Sequence, residues 1–364
     1  METAHSTICR SAALYFYQGT DLDLLLPVAE ALSERGFRVL ALLDPRLRAS
    51  SPRTSAALGS PAFETFVGSA LGLRLLPALL RSSALVTACD TTARPHARGY
   101  WLTRMARLCG LRTFTLQHGL ENIGLTYYDA EYPPQRVDFA SDIIFTWGPL
   151  SGLDPRVPEA IKRRCVPVGC PKVREPARVP DVKLPFHRDK LVVVFENLHW
   201  SRYDGGYRER FLADLEAAAA AFPAVSFLVK PHHSGRWLSE RFGGRLPASP
   251  NLMLADPKDP VWEPYTAPAL IKAADAVITT PSTTVFDSVC MGKPVAVAAY
   301  DIPVPLYEPL AIIRSSKGWN EFVGQALDGR EGPRLEASAR GFRDRVCLPG
   351  DGASRIAQYI EGSL

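Results

Sequence analysis

Long apolar runs are scarce in this chain, and their scarcity excludes most membrane roles. The longest uncharged apolar stretch, 217–229, is interrupted by Pro223 and Ser226 and is too short to cross a bilayer. The polar opening, Met1 to Arg10, has no apolar region with a cleavage site, so neither export nor integral insertion is expected. No C-x-x-C pair occurs among Cys9, Cys89, Cys109, Cys165, Cys170, Cys290 and Cys347, and their number is odd. They read as buried free thiols in a reducing cytosol. Charge of one sign is also in short supply: 42 basic against 38 acidic residues gives only +4. With no helix-turn-helix, RNP-type or finger pattern, nucleic acid is excluded as a partner, while weak attraction to an anionic membrane surface stays open. There is no short-period repeat and no low-complexity segment.

What is present is an alternation. Hydrophobic residues make up 46% and charged residues 22%, which marks a packed globular chain, and 364 residues give room for two domains. Strand-like runs are expected at 12–17, 38–43, 84–89, 113–117, 143–147 and 166–169, with helical patterns at 24–35, 63–81 and 100–108. A stretch rich in proline and charge, 171–190, follows. The alternation then resumes, with strands at 191–195, 225–229, 252–254, 276–279 and 295–298 and helices at 207–222, 267–274 and 283–291. This order predicts an α/β fold of two Rossmann-like domains facing each other across a cleft. The expected boundaries are an N-terminal domain at 1–175, a linker at 176–190, a C-terminal domain at 191–350, and a helix at 351–364 packing back on the first domain. Ligands of such folds lie at the carboxyl ends of strands.

The run from Pro281 to Pro294 carries the most chemistry. Ser282, Thr283 and Thr284 open a helix between two apolar strands, so hydroxyls, backbone N–H groups and the positive helix end converge, which suits a phosphate. Asp287, one turn on, is placed to accept from a ribose or glycerol hydroxyl. A crossover with a Ser/Thr cap is the plain alternative. In the run Lys230-Pro231-His232-His233, Pro231 stops a strand, so Lys230 and His232 project at its carboxyl end, where a cation and an imidazole offset a diphosphate. His232 and His233 make a poor metal pair, because neighbours in extended chain point oppositely, and no metal is expected.

Gln117-His118-Gly119 also ends a strand. His118 titrates near neutrality and could take a proton from a hydroxyl, and Gly119 would permit a tight turn. Gln18 and Gly19, Gly169, and Asn197 and His199 follow other strands and are candidates to line the cleft. Asp21-Leu22-Asp23 imitates a metal-holding pair but precedes a helix, where terminal charge explains it. The segment 66–80, with Leu71, Leu73, Leu75, Leu76, Leu79 and Leu80 beside Arg74 and Arg81, reads as a buried helix kinked or split at Pro77. A surface patch meeting a lipid-linked acceptor or a membrane is the alternative.

Taken in order, five pieces resemble the GT-B nucleotide-dependent transferases, above all the CDP-glycerol glycerophosphotransferase-like proteins of bacterial capsule and teichoic-acid synthesis. They are Gln117-His118-Gly119, Val168-Gly169-Cys170-Pro171-Lys172, Lys230-Pro231-His232, Ser282 to Asp287 with Gly292-Lys293-Pro294, and Asp351-Gly352-Ala353-Ser354-Arg355. The likeness departs at Gln117, where that family has an aromatic residue, and at Pro281, where it has an acid. The resemblance implies a cytoplasmic, metal-independent transferase with no cofactor. It would move a glycosyl or glycerol-phosphate group from a nucleotide-activated donor, by preference a cytidine nucleotide, to a glycan or lipid-linked glycan acceptor, with peripheral contact at the inner membrane face. It implies His118 as catalytic base, Lys230 and His232 near the diphosphate, Ser282 to Thr284 on phosphate, and Asp287 on hydroxyls. The N-terminal domain would then take the acceptor and the C-terminal domain the donor. A UDP-sugar 2-epimerase and a non-catalytic scaffold of a polysaccharide-synthesis complex are the rival readings.

Overall fold

The computed structural model describes residues 10–172, 179–184, 189–232, 237–256, 259–262 and 264–364. They form two compact units, one within Met1–Val173 and Arg345–Leu364, the other within Arg174–Asp344. Each is built on one parallel sheet with helices on both faces, the Rossmann-like architecture that the alternation predicts.

In the first unit the chain runs β1 (Ser11–Phe16), α1 (Asp21–Glu34), β2 (Arg38–Leu43), α2 (Pro45–Ser50), α3 (Pro52–Leu58), β3 (Glu64–Val67), α4 (Leu76–Leu80), β4 (Ala84–Thr87), α5 (Ala97–Leu108), β5 (Arg112–Leu116), β6 (Ile143–Thr146), α6 (Glu159–Lys162) and β7 (Cys165–Pro167). The strand order is β3-β2-β1-β4-β5-β6-β7. The second unit runs β8 (Lys190–Glu196), α7 (Gly205–Ala221), β9 (Val225–Pro231), β10 (Leu252–Leu254), α8 (Ala267–Ala273), β11 (Ala276–Thr279), α9 (Thr284–Cys290), β12 (Val295–Ala298), β13 (Ala311–Ile313) and α10 (Ser316–Asp328), in the order β10-β9-β8-β11-β12-β13. The chain closes with α11 (Gly332–Val346) and α12 (Gly352–Ser363).

Central strands are apolar along their whole length because both faces are covered. Ser11 to Phe16 and Leu191 to Glu196 are buried at every position. One face of the first sheet packs Ala13, Tyr15, Leu40, Leu42 and Leu85 under Leu75, Ala78 and Leu79 of the α4 region and Leu102 and Ala106 of α5. On α12, Tyr359 sets its ring edge-on to Phe145 at 5.4 Å, and Glu361 pairs with Arg35. Gly169 adopts φ +89 with Arg355 and the Leu348 carbonyl against it, so the backbone itself requires glycine there. In the second unit, residues 179–184 are tied down by Lys272 Nζ on the Val179 carbonyl at 2.6 Å and Tyr265 Oη on that of Lys183 at 2.6 Å. Residues 173–178 and 185–188 of the expected linker lie outside the described residues.

One element is overturned. The helix expected at 63–81 is instead the edge strand β3, a single turn at Leu73–Leu75, and the five-residue α4. Thr65, Phe66 and Val67 pair with β2, and Pro77 fits only the first turn of α4. Its leucines divide accordingly: Leu75 and Leu79 are buried, whereas Leu71, Leu73 and Leu80 face solvent. Helices α2, α3, α6, α10 and α11 and strand β13 add to the elements that the sequence pattern predicts. The six described cysteines are free thiols, and Cys9 lies outside the described residues. Among the described residues no helix is long and apolar enough to cross a membrane.

Two glycines fix close backbone approaches. A Cβ on Gly99 of α5 would lie 2.2 Å from the Cys89 carbonyl oxygen, and one on Gly352 of α12 would lie 2.7 Å from that of Cys170. Gly99→Ala and Gly352→Ala should each cost about 1–3 kcal/mol, read as a lower denaturation midpoint. Gly205→Ala, which meets nothing within 4 Å, should cost nothing. A wild-type midpoint for Gly99→Ala would contradict the packing described.

Candidate active site

In each sheet the strand order reverses once, beside β1 and β4 in the first unit and beside β8 and β11 in the second. Connections leave such neighbours toward opposite faces, which opens a crevice at their carboxyl ends. Most candidate residues lie at these two places or one strand away; Gly169, after β7, does not.

At the first, His118 follows β5 and is partly buried. Its backbone N–H donates to Asn122 Oδ1 at 2.9 Å, and its Nδ1 lies 2.7 Å from the same oxygen. Asn122 Nδ2 donates to the Ile123 carbonyl at 3.0 Å, which settles which amide atom is the oxygen. Nδ1 therefore carries the proton and Nε2 keeps a lone pair. Burial pushes the His118 imidazole down to about 4, against the Asn122 hydrogen bond, with the Lys172 charge adding to the fall. His96 meets the His118 ring edge-to-face at 4.8 Å, and its own Nδ1 lies 2.8 Å from Thr91 Oγ1. Burial also holds His96 well below the usual imidazole range. Cys89, His96 and His118 offer ligand atoms all within 4.8 Å of one another, so a borderline-soft cation such as Zn²⁺ has donors here.

The neighbours of His118 do other work. Gln117 is buried, accepting from the Trp147 backbone N–H at 2.9 Å and donating to the Gly119 carbonyl at 3.0 Å, so it binds β5 to β6. The loop's left-handed residue is Gly124, φ +92. Gln18 donates to the Pro95 carbonyl at 2.9 Å, and Gly19 is exposed in the turn after β1. That turn is held by Asp21, whose carboxylate accepts from the Tyr17 and Gln18 backbone N–H groups at 2.8 Å, a structural role for the Asp21-Leu22-Asp23 motif. Burial lifts Asp21 to about 7. Gly169, against Arg355, serves packing.

At the second place three adjacent strand ends are stitched together. The His232 backbone N–H donates to the Glu196 carbonyl at 2.9 Å, and the Asn197 backbone N–H donates to Thr280 Oγ1 at 3.1 Å. Asn197 Nδ2 donates to the Pro281 carbonyl at 3.0 Å, and Thr280 donates to Asn197 Oδ1. Asn197 is therefore a buried brace between these strand ends. His199 and His232 stack at 4.9 Å. Lys230 is partly buried, and burial lowers its ammonium below the usual range. Ser282, Thr283 and Thr284 are partly exposed at the start of α9, with Thr284 N–H donating to Ser282 Oγ at 3.3 Å and Thr284 Oγ1 3.1 Å from Thr279 Oγ1. Thr283, at the cap position, makes no capping bond. Asp287 is buried in the first turn. His233 lies outside the described residues.

Four groups escaped the sequence reading. His96, Cys89 and Asn122 reach His118 through folding; only Asn122, four residues on, left a local signal. In the second unit Arg202 donates to the Pro281 carbonyl at 3.1 Å, which places a guanidinium beside the Ser282 loop. Two carboxyls at strand ends are raised to about 7 by burial: Glu196, whose Oε2 accepts from the Leu198 N–H at 2.6 Å, and Asp90.

Neither a protein-family model nor a curated protein matches the sequence. Solved structures do match. The kitacinnamycin glycotransferase superposes with a TM-score of 0.57 at 18% identity over 97% of this chain and 99% of that one. The wall teichoic acid polymerase TagF, in a crystal soaked with CDPG, gives 0.61 at 14% over 98% and 89%. The UDP-GlcNAc 2-epimerase from Methanocaldococcus jannaschii gives 0.60 at 11% over 97% and 99%. The fold is GT-B. At these identities the likeness carries the GT-B architecture and no choice between transfer and epimerisation.

The His118 environment is directly measurable. Burial penalises the charged form, so the ring should stay neutral, with the proton on Nδ1, as pH falls from 7 and gain charge only near 4. Nitrogen-15 NMR of labelled histidines should show this. A His118 midpoint near 6.5, or an Nε2–H tautomer, would contradict the geometry.

Proposed function

We propose that the protein is a GT-B transferase that moves a glycosyl or glycerol-phosphate group from a nucleotide-activated donor to a glycan or lipid-linked glycan. The observation that carries the reading is the His118–Asn122 pair, a neutral imidazole whose Nε2 lone pair is held available at a strand end. In this reading Nε2 takes the proton of an acceptor hydroxyl as it attacks. The donor's phosphates lie at Ser282 to Thr284, with Lys230 and Arg202 supplying charge and His232 a further donor, and Asp287 lies toward the donor's hydroxyls. Fixed donors of this kind stabilise a departing nucleotide phosphate without proton transfer. The CDPG-soaked TagF crystal supports a cytidine nucleotide, and the UDP-GlcNAc 2-epimerase likeness supports a uridine one.

A nucleotide panel of CMP, CDP, UDP and GDP separates these donors. A ligand at 100 times its dissociation constant adds about 2.7 kcal/mol, visible as a thermal shift. Lys230→Ala should weaken the binding nucleotide by about ten- to a hundredfold, and His118→Ala should lower turnover by about 10²–10⁴-fold while leaving nucleotide binding intact. Near-normal turnover in His118→Ala would remove the base; no binding of any nucleotide would favour a scaffold. The second reading is epimerisation, favoured by the shared fold and by buried strand-end carboxyls such as Asp90. It predicts epimer from UDP-N-acetylglucosamine with no acceptor present.

The cation-ready cluster gives a separate check. Both Nδ1 atoms are engaged, so an ion held by Cys89, His96 and His118 would take the Nε2 atom that the transfer uses as base. Chelator treatment should leave turnover unchanged, and micromolar-range Zn²⁺ should inhibit. Loss of activity on chelation, restored by metal, would overturn the metal-free mechanism.

A further inference from the structure

The positive charge of this chain is concentrated. Residues 65–120 hold seven arginines, Arg74, Arg81, Arg94, Arg98, Arg104, Arg107 and Arg112, no lysine, and one acid, Asp90. That stretch carries +6; the other 308 residues, with 35 basic and 37 acidic, carry −2. Asp90 is buried, so every charge the stretch itself shows to solvent is basic. Glu64, Asp44 and Asp142 from neighbouring elements pair with Arg81, Arg98 and Arg107. Arg74, Arg94, Arg104 and Arg112 make no ion pair among the described residues.

The same stretch exposes large apolar side chains where a soluble surface normally has few. Leu71, Leu73 and Leu80 are 73%, 81% and 66% exposed around α4, and Trp101 and Leu108 are 51% and 89% exposed on α5. On α5 the residues Trp101, Arg104 and Leu108 fall at helical spacing on one outward face, opposite the buried Leu102 and Ala106. The α4 region and α5 cover one core on one face of the first sheet, so both rows belong to the same side of that unit. Leucine and tryptophan beside arginine, with the nearby Glu64 neutralised by Arg38 and Arg81, is the chemistry of an interfacial, not a spanning, membrane element.

We infer that the α4–α5 side of the first unit docks on the surface of a bilayer carrying anionic headgroups, with Leu71, Leu73, Leu80, Trp101 and Leu108 entering the headgroup–acyl boundary. The charge complementarity selects an anionic lipid surface over an apolar protein partner. The inference stands apart from the transferase reading, because vesicle binding needs no turnover.

Cosedimentation of the full chain with vesicles tests it. Phosphatidylcholine vesicles containing phosphatidylglycerol should bind the protein, pure phosphatidylcholine should bind it far less, and added salt should weaken the anionic case. Arg74→Ala and Arg104→Ala should each cost about fivefold in partitioning, and Leu73→Glu with Leu108→Glu should abolish it. Arg330→Ala with Arg334→Ala, on the far side of the sequence, should change nothing. These positions are exposed, and matching melting curves would show the variants folded. Equal binding to both vesicles, binding to neither, or unaltered binding by the α4 and α5 variants would each overturn the proposal. So would sedimentation showing a dimer that the leucine variants dissociate, which would make this face an interface between copies.

Discussion

Everything at the candidate site depends on a constraint of parallel sheets: where strand order reverses, two neighbouring strand ends must send their chains to opposite faces. In the second unit that happens beside β8 and β11, and the gap is not left slack. Asn197 is bonded to both Thr280 and Pro281, and the His232 amide to Glu196, so the ends of β9, β8 and β11 are one hydrogen-bonded rim. Lys230 at the end of β9, Ser282 next to the braced Pro281, and the His199–His232 stack adjoin that rim. Side chains held by a rigid scaffold can bind a phosphate without reorganising.

Beside the corresponding reversal the first unit presents an imidazole, on the loop after β5. Burial alone would make His118 a poor cation, and a neutral ring in an arbitrary tautomer would be of little chemical use. Asn122 resolves this by fixing the proton on Nδ1. Basicity is modest, with the ring held at about 4, but the ring is neutral at any physiological pH and its lone pair is directed away from Asn122. Cys89 and His96 place their ligand atoms within 4.8 Å of that of His118, so a metal ion bound by all three would occupy the same lone pair.

Most of the sheet framework was legible in the sequence, because strands buried on both faces read as unbroken apolar runs; Leu191 to Phe195 is the clearest. The misreading at 63–81 has a physical cause. Leucine-rich sequence with helical propensity reads as core, but half of those leucines are outside, and β3 is an edge strand too short to show alternation. Helices α2 and α3 did carry signals, Asp44-Pro45 and Ser51-Pro52, with both Asp44 and Ser51 capping as such pairs do. At the site, strand-end motifs pointed to His118, Lys230 and Ser282. Gln117, Asn197 and Gly169, expected to line the cleft, make packing and bracing contacts. His96 and Arg202 were invisible, because nothing local in their sequence says which loop they will meet.

The central claim is that a nucleotide's phosphates belong at the rim of β8, β9 and β11. A crystal structure of the protein with CDP or UDP is the direct test. Phosphates within hydrogen-bond reach of Lys230 and the Ser282–Thr284 turn are the predicted result. Phosphates held elsewhere, with that turn empty at saturating nucleotide, would contradict the account.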